Sequence, residues 1–266
     1  MTWVGSRPVH WRIAGVQVFD NISIPTILVS YVALLFSLSV HEASHASVAY
    51  WLEDDTAARL GRMTLNPLAH IDPLGTVVFP LLGMATGFPF IGWAKPVPVD
   101  PRNLTRRFTQ RGGYALVAAA GPASNLILAV IFLTLLLVLV KVIALPPTLE
   151  LRVFAHALLA RKVESIQALQ LGPAMTLALA LTGRLVLINI GLALFNLLPM
   201  GPLDGAGILR GMLPWRWLPK FDKVQPWMGG VLIVLALTGL LGYVIGPVFS
   251  VILTGIESIA RIFLGA

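Results

Sequence analysis

Five apolar runs, at about residues 22–52, 74–90, 114–140, 173–198 and 228–253, recur along this chain of 266 residues. A helix needs roughly 20 apolar residues to cross the hydrocarbon core of a bilayer, and it must close its backbone hydrogen bonds internally. Four of the runs reach that length. The run at 74–90 is shorter and holds Pro80, Gly83, Gly87 and Pro89, so it reads as a crossing or as a re-entrant hairpin, and its broken sequence favours the hairpin. Only 12% of the residues are charged, half the share of about 25% in a soluble domain, too few to cover a water-exposed globule. The expectation is an all-α polytopic membrane protein of four to five transmembrane helices plus a re-entrant or irregular membrane-associated segment. No soluble-looking block separates the runs, so residues 1–266 read as a single membrane-embedded domain. Its core spans 22–210, and 228–253 adds a C-terminal transmembrane helix. The first run is longer than the apolar region of a cleavable signal peptide, so none is expected.

The net charge of +7 has its source in the short connections between the runs. With 74–90 as a hairpin, loops 51–112 and 201–227 share one side and carry eleven Lys/Arg, against seven on the side of the termini and of 141–172. With 74–90 as a crossing the split is again eleven to seven, so the positive-inside rule does not choose between the topologies. Basic residues gathered in loops, with no basic face interleaved with aromatics, exclude nucleic acid as a partner. The chain has no cysteine, which excludes disulfides and thiolate metal ligands. Arg184 is the odd cation inside an apolar run; a span that effectively starts there would let its side chain snorkel to the interface.

The chemistry lies in His41-Glu42-Ala43-Ser44-His45. On a helix this spacing sets two imidazoles one turn apart on one face, the arrangement for two ligands of one zinc ion. Glu42 lies about 100° round the helix from His41, within reach of a water in the site, as a general base requires. These groups stand in a run otherwise free of charge, roughly 12 to 18 Å along the axis from Glu53. Ionisable side chains at such depth face a partner or a wet cavity. Zinc with two histidines needs a third protein ligand and an open position for water. Spacing leaves that ligand among His10, His70, His156 and the carboxylates. Asp204 stands out among them, because Pro199, Gly201, Pro202, Gly205 and Gly207 break the helix around it, and irregular backbone at membrane depth must be buried in protein or line a cavity. In Asn66-Pro-Leu-Ala-His70-Ile-Asp72, the His and Asp read as turn-capping residues in preference to a second metal site.

In combination these motifs resemble the site-2 protease family (peptidase M50), short bacterial type. The resemblance is carried by the HExxH sequence His41–His45, by Asn196-x-x-Pro199-x-x-x-Leu203-Asp204-Gly205, and by Gly121-Pro122-Ala123-Ser124-Asn125 between them. Gly61-Arg62-Met63-Thr64-Leu65-Asn66-Pro67 and Gly92-Trp93-Ala94-Lys95-Pro96-Val97-Pro98-Val99 are similar to the short members. The likeness covers about residues 22 to 210. It implies one zinc ion per chain held by His41, His45 and Asp204, with Glu42 as general base. It also implies that Asn196 holds the substrate strand or steadies the oxyanion; the plainer role, tying helices together, stays open. Asn125, set among Ala118, Ala119, Ala120, Gly121, Ala123 and Ser124, reads as part of a small-residue packing face. Two departures stand out. No PDZ or CBS domain is expected, and Glu53-Asp54-Asp55 replaces a Gly-Asp-Pro.

The implied activity is hydrolysis of peptide bonds within or near transmembrane segments of membrane proteins, as in regulated intramembrane proteolysis. The partners are a membrane-protein or membrane-peptide substrate and the lipid bilayer. A substrate helix must unwind to expose a carbonyl, and the irregular 60–100 region is the expected place for it to add as a strand. A metal transporter is the competing class; the position of Glu42 and the lack of an inverted repeat speak against it. The implied location is the cell membrane, multi-pass, with the site toward the cytoplasm.

Overall fold

The computed structural model describes residues 23–86, 92–105, 108–159 and 163–265. Helix α1 (Ile24–Trp51) starts at Ser23, whose Oγ accepts the Thr26 N–H at 3.2 Å, with Pro25 in the first turn, where a missing N–H costs nothing. It ends in a Schellman pair: Glu53 N–H donates to Tyr50 O and Asp54 N–H to Ala49 O. Glu53 is held at φ 75°, the left-handed conformation that favours glycine.

A short helix α2 (Thr56–Arg59), a 3-10 turn at Pro67–Ala69 and a π-helical turn at Pro73–Val78 lead into α3 (Phe79–Thr86). Asp72 Oδ1 caps this element through the N–H groups of Leu74 and Gly75, the turn-capping role its sequence suggested. Trp93 N–H donates to Gly75 O and Lys95 N–H to His70 O, so the chain comes back to where it left. The run at 74–90 is therefore a hairpin, entering and leaving at one end of the bundle; its residues 87–90 lie outside the described set.

Helix α4 (Gln110–Val142) is capped by Thr109, whose Oγ1 accepts the Gly112 N–H. The connection 141–172, expected as a loop, instead folds into α5 (Pro147–Leu159) and α6 (Val163–Gln167). The reason is its apolar spacing: Val153, Phe154, Ala157 and Leu158 lie on one face and pack against Leu136, Val140, Leu179 and Val186 in the main core. Helix α7 (Pro173–Asn196) follows, then α8 (Asp204–Met212), α9 (Leu218–Leu237) and α10 (Leu240–Leu264). The run at 228–253 is not one helix, which corrects the expected C-terminal span. It breaks at Gly239, held at φ 76°, and the span is Leu240–Leu264.

Four described helices are long and apolar enough to cross a membrane: α1, α4, α7 and α10. Contacts sort their ends. Val163 N–H donates to Thr26 Oγ1 and Lys141 Nζ to Leu264 O, which gathers the start of α1, the ends of α4 and α10, and α6. The described residues of 52–109, and residues 197–217, lie at the other end. Arg184 sits half-buried in the middle of α7, which begins at Pro173, so no span starts at this residue.

Candidate metal centre

One turn apart on α1, His41 and His45 face α4 and are 4% and 8% exposed. Two glycines make room for them. A Cβ on Gly121 of α4 would overlap His45 Nε2 and lie 2.6 Å from His41 Nε2, so only hydrogen lets α4 approach the imidazoles. A Cβ on Gly205 would overlap the carbonyl oxygens of Leu197 and Leu198, so only glycine lets the first turn of α8 fold back over the end of α7. That fold-back delivers Asp204 as the first residue of α8. The helix lies on α4, with Gly207 and Gly211 against Ala118 and Ala115.

His41 Nε2, His45 Nε2 and the Asp204 carboxylate converge, with separations of 3.1 Å between the two nitrogens, 3.2 Å from His41 to Oδ2 and 3.4 Å from His45 to Oδ1. The hydrogen bonds on the far side of each ring fix which nitrogen faces inward. His45 Nδ1 lies 2.7 Å from Val117 O, which can only accept, so Nδ1 carries the proton and Nε2 a lone pair. His41 Nδ1 lies 2.6 Å from Asn125 Oδ1 in the same relation. Asp204 Oδ2 is buried and accepts no hydrogen bond. With neutral rings, three lone-pair donors thus meet, an arrangement suited to a cation. Zinc bonds of 2.0–2.1 Å in a tetrahedron would separate the ligand atoms by about 3.3 Å, matching the separations present. Two imidazoles and a carboxylate are a donor set that zinc takes. Among the described residues these three form the metal-capable group.

Glu42 is 8% exposed, and its Oε2 accepts the Val97 N–H at 2.9 Å. Val97 belongs to a strap, residues 92–105, that is hooked along its length. Thr76 Oγ1 donates to Trp93 O, Lys95 reaches His70 O, Asp100 N–H donates to Asp54 Oδ2, and Thr105 N–H donates to Leu52 O. Sequence reasoning marked this stretch as irregular and missed its grip on Glu42; Pro96 and Pro98 on either side of a lone amide were the available signal. The described part of 60–100 forms no strand. Its amides at 93, 95 and 97 are spent inward, and prolines at 96 and 98 have none to offer outward.

The other candidates are placed as follows. Asn196 is the last residue of α7, half-buried, with Nδ2 donating to Leu192 O at 3.0 Å; it is not among the three converging ligands. His70 Nε2 donates to Thr64 O, and His156 Nδ1 to Arg152 O, so neither joins the group. His10 lies outside the described residues. Asn125 does more than pack, since it bonds to His41. Asn189, which the motifs did not single out, bonds to Asn125 in turn.

The model of peptidase family M50 matches residues 29–239, an interval that holds the helices bearing all of these groups. The chain belongs to peptidase family M50. Within the family it is 36% identical over 234 residues to the provisionally named zinc metalloprotease YwhC of Bacillus subtilis (strain 168), covering 87% of this chain and 89% of that one. It is 38% identical over 102 residues to the provisionally named zinc metalloprotease Rip2 of Mycolicibacterium smegmatis (strain ATCC 700084 / mc(2)155), covering 38% of this chain and 37% of that one. No solved structure matches the chain. M50 membership makes the protein a peptidase, and its four apolar helices make it a multi-pass membrane protein.

Proposed function

We propose that the chain is an intramembrane zinc metalloendopeptidase that hydrolyses peptide bonds within or near transmembrane segments of membrane proteins. The observation that carries this reading is the convergence of three lone-pair donors, His41 Nε2, His45 Nε2 and Asp204, beside a buried glutamate on the same helix. Those three residues would hold one zinc ion per chain, which when bound supplies Lewis-acid polarisation of water and of the scissile carbonyl. Glu42 takes the proton of the attacking water and returns it to the leaving amine. Its Oε2 is occupied by the Val97 N–H, which fixes the carboxylate plane and leaves Oε1 for the proton. Asn196, at the end of α7, is assigned to hold the substrate or steady the oxyanion, a role resting on its place in the Asn196–Gly205 motif. The strap bears on the substrate as well. A chain laid along residues 96–98 finds carbonyls at Pro96 and Pro98 and no free amide, because the two prolines have none and the Val97 N–H is bonded to Glu42, so it must donate its own N–H groups there.

The deciding experiment reconstitutes wild type and Glu42→Gln with zinc and a membrane-spanning reporter. The expected result is one zinc per chain in both, with cleavage in the variant lower by about 10²–10⁴-fold. Wild type that binds zinc, cleaves none of several reporters and carries zinc across the bilayer would replace this reading with a transporter.

A further inference from the structure

The buried polar groups behind His41 form a chain with one direction. His41 Nδ1 meets Asn125 Oδ1 at 2.6 Å, Asn125 Nδ2 donates to Asn189 Oδ1 at 2.8 Å, and Asn189 Nδ2 donates both to Ser37 Oγ at 2.8 Å and to Leu185 O at 2.8 Å. Ser37 Oγ donates to Ala33 O at 2.8 Å. Asn125, Asn189 and Ser37 are each 0% exposed, so no water competes. The far ends of the chain are backbone carbonyls, which accept and never donate. Leu185 O therefore forces the Asn189 amide to present Nδ2 toward it and Oδ1 toward Asn125. Asn189 Oδ1 in turn forces Asn125 to present Nδ2 toward it and Oδ1 toward His41. His41 is left with one bonded choice, the proton on Nδ1 and the lone pair on Nε2.

We infer that Asn189, acting through Asn125, is a positioning residue that presets the tautomer and ring orientation of His41 for metal binding. The inference rests on the proposed ligand set. It adds that α7 takes part in the centre twice, once through the turn that leads to Asp204 and once, two turns above Asn196, through this amide. Without the acceptor at 189, the Asn125 amide is free to turn its Nδ2 toward His41. That favours the proton on Nε2, where it blocks ligation.

Zinc affinity, read by chelator competition on the purified full chain in detergent, tests this directly. Asn189→Ala is expected to bind zinc about 10–100-fold more weakly than wild type, the usual scale for a lost partner of a metal-bound histidine. Asn125→Leu loses at least as much, whereas Asn125→Asp keeps an acceptor for Nδ1–H but offers Asn189 Oδ1 no donor, so it recovers part of that loss. In the metal-free protein, ¹⁵N-histidine spectra should show His41 protonated at Nδ1 in wild type and shifted toward the other tautomer in Asn189→Ala. Wild-type affinity and tautomer in a folded Asn189→Ala would overturn the proposal, as would Asn125→Asp binding no better than Asn125→Leu. If Asn189→Ala does not fold, the Asn125 pair decides alone. Failure of the ligand set gives a different result: zinc binding by wild type that is indifferent to His41→Ala sinks both readings, while loss on His41→Ala with none on Asn189→Ala sinks this one alone.

Discussion

At the centre, the hydrogen of Gly121 does what no side chain could. A methyl at this position would overlap His45 Nε2 and stand 2.6 Å from His41 Nε2, which is where the donors must meet a cation. Gly121→Ala is therefore expected to abolish stoichiometric zinc binding and to cost about 1–3 kcal/mol of stability from overpacking. Gly191→Ala on α7, where a Cβ meets nothing within 4 Å, is the matched control and should be silent in both respects. Metal content per purified chain settles it, and a folded Gly121→Ala holding one zinc would contradict the geometry. The ligands themselves were legible in the sequence because residue type and spacing on one helix fix a shared face: His41 and His45 could hardly point apart. Asp204 was legible for another reason, the density of helix-breaking residues around a lone carboxylate. Gly121 and Asn189 were not. A glycine in Gly-Pro-x-x-Asn signals close packing without saying against what, and a buried Asn in an apolar helix looks the same whether it joins two helices or orients a ligand.

Among the elements, the strap at 92–105 is the one whose role its sequence concealed. Prolines and glycines declared it irregular, but hydrogen bonds to residues more than 40 positions away, such as Val97 to Glu42 and Asp100 to Asp54, leave no local pattern. The same limit explains why 141–172 read as a loop, since its helices are too short and too polar to stand out beside the spans. Asp54 is the strap's far anchor. Its Oδ2 accepts Asp100 N–H at 2.8 Å, and its Oδ1 accepts Thr56 N–H, Thr56 Oγ1 and Asn103 Nδ2. Burial alone would raise the carboxyl pKa, but the hydrogen bonds from Thr56, Asp100 and Asn103 outweigh it and hold the group below the usual carboxylate range. The sign follows: a depressed folded pKa means a stabilisation fully present above about pH 4, the unfolded value, and lost as pH falls through the folded one. Asn at this position must turn its NH₂ toward a donor in either orientation, so Asp54→Asn should cost about 1–3 kcal/mol at neutral pH. It should also free the Val97 and Asp100 amides to exchange with solvent, lowering cleavage while zinc content stays at wild type. Hydrogen exchange localised to 95–105 is the measurement; unchanged protection there would remove the strap from the account of Glu42.

For the whole molecule, the hairpin decides what charge counting in the sequence could not. Both topologies gave eleven Lys/Arg against seven, but they assigned the larger number to different sides. The bonds from Lys95 to His70 and from Trp93 to Gly75 bring the chain back to its starting end, which leaves four crossings among the described residues and gathers the described parts of 51–112 and 201–227 at the end nearer the metal centre. That end now carries the eleven, and the positive-inside rule predicts that it faces the cytoplasm. Trp215, Trp217 and Trp227, all exposed at the same end, have the amphipathic character of residues that anchor at a membrane interface. The chain has no cysteine, so single cysteines report topology without background. In intact cells, Ala168→Cys, on the connection between α6 and α7, should react with a membrane-impermeant maleimide, and Arg216→Cys should react only after the membrane is opened. Reversed labelling would invert the orientation and put the centre toward the outer face. Labelling of both from one side would mean that α7 does not cross, and would break the four-crossing arrangement.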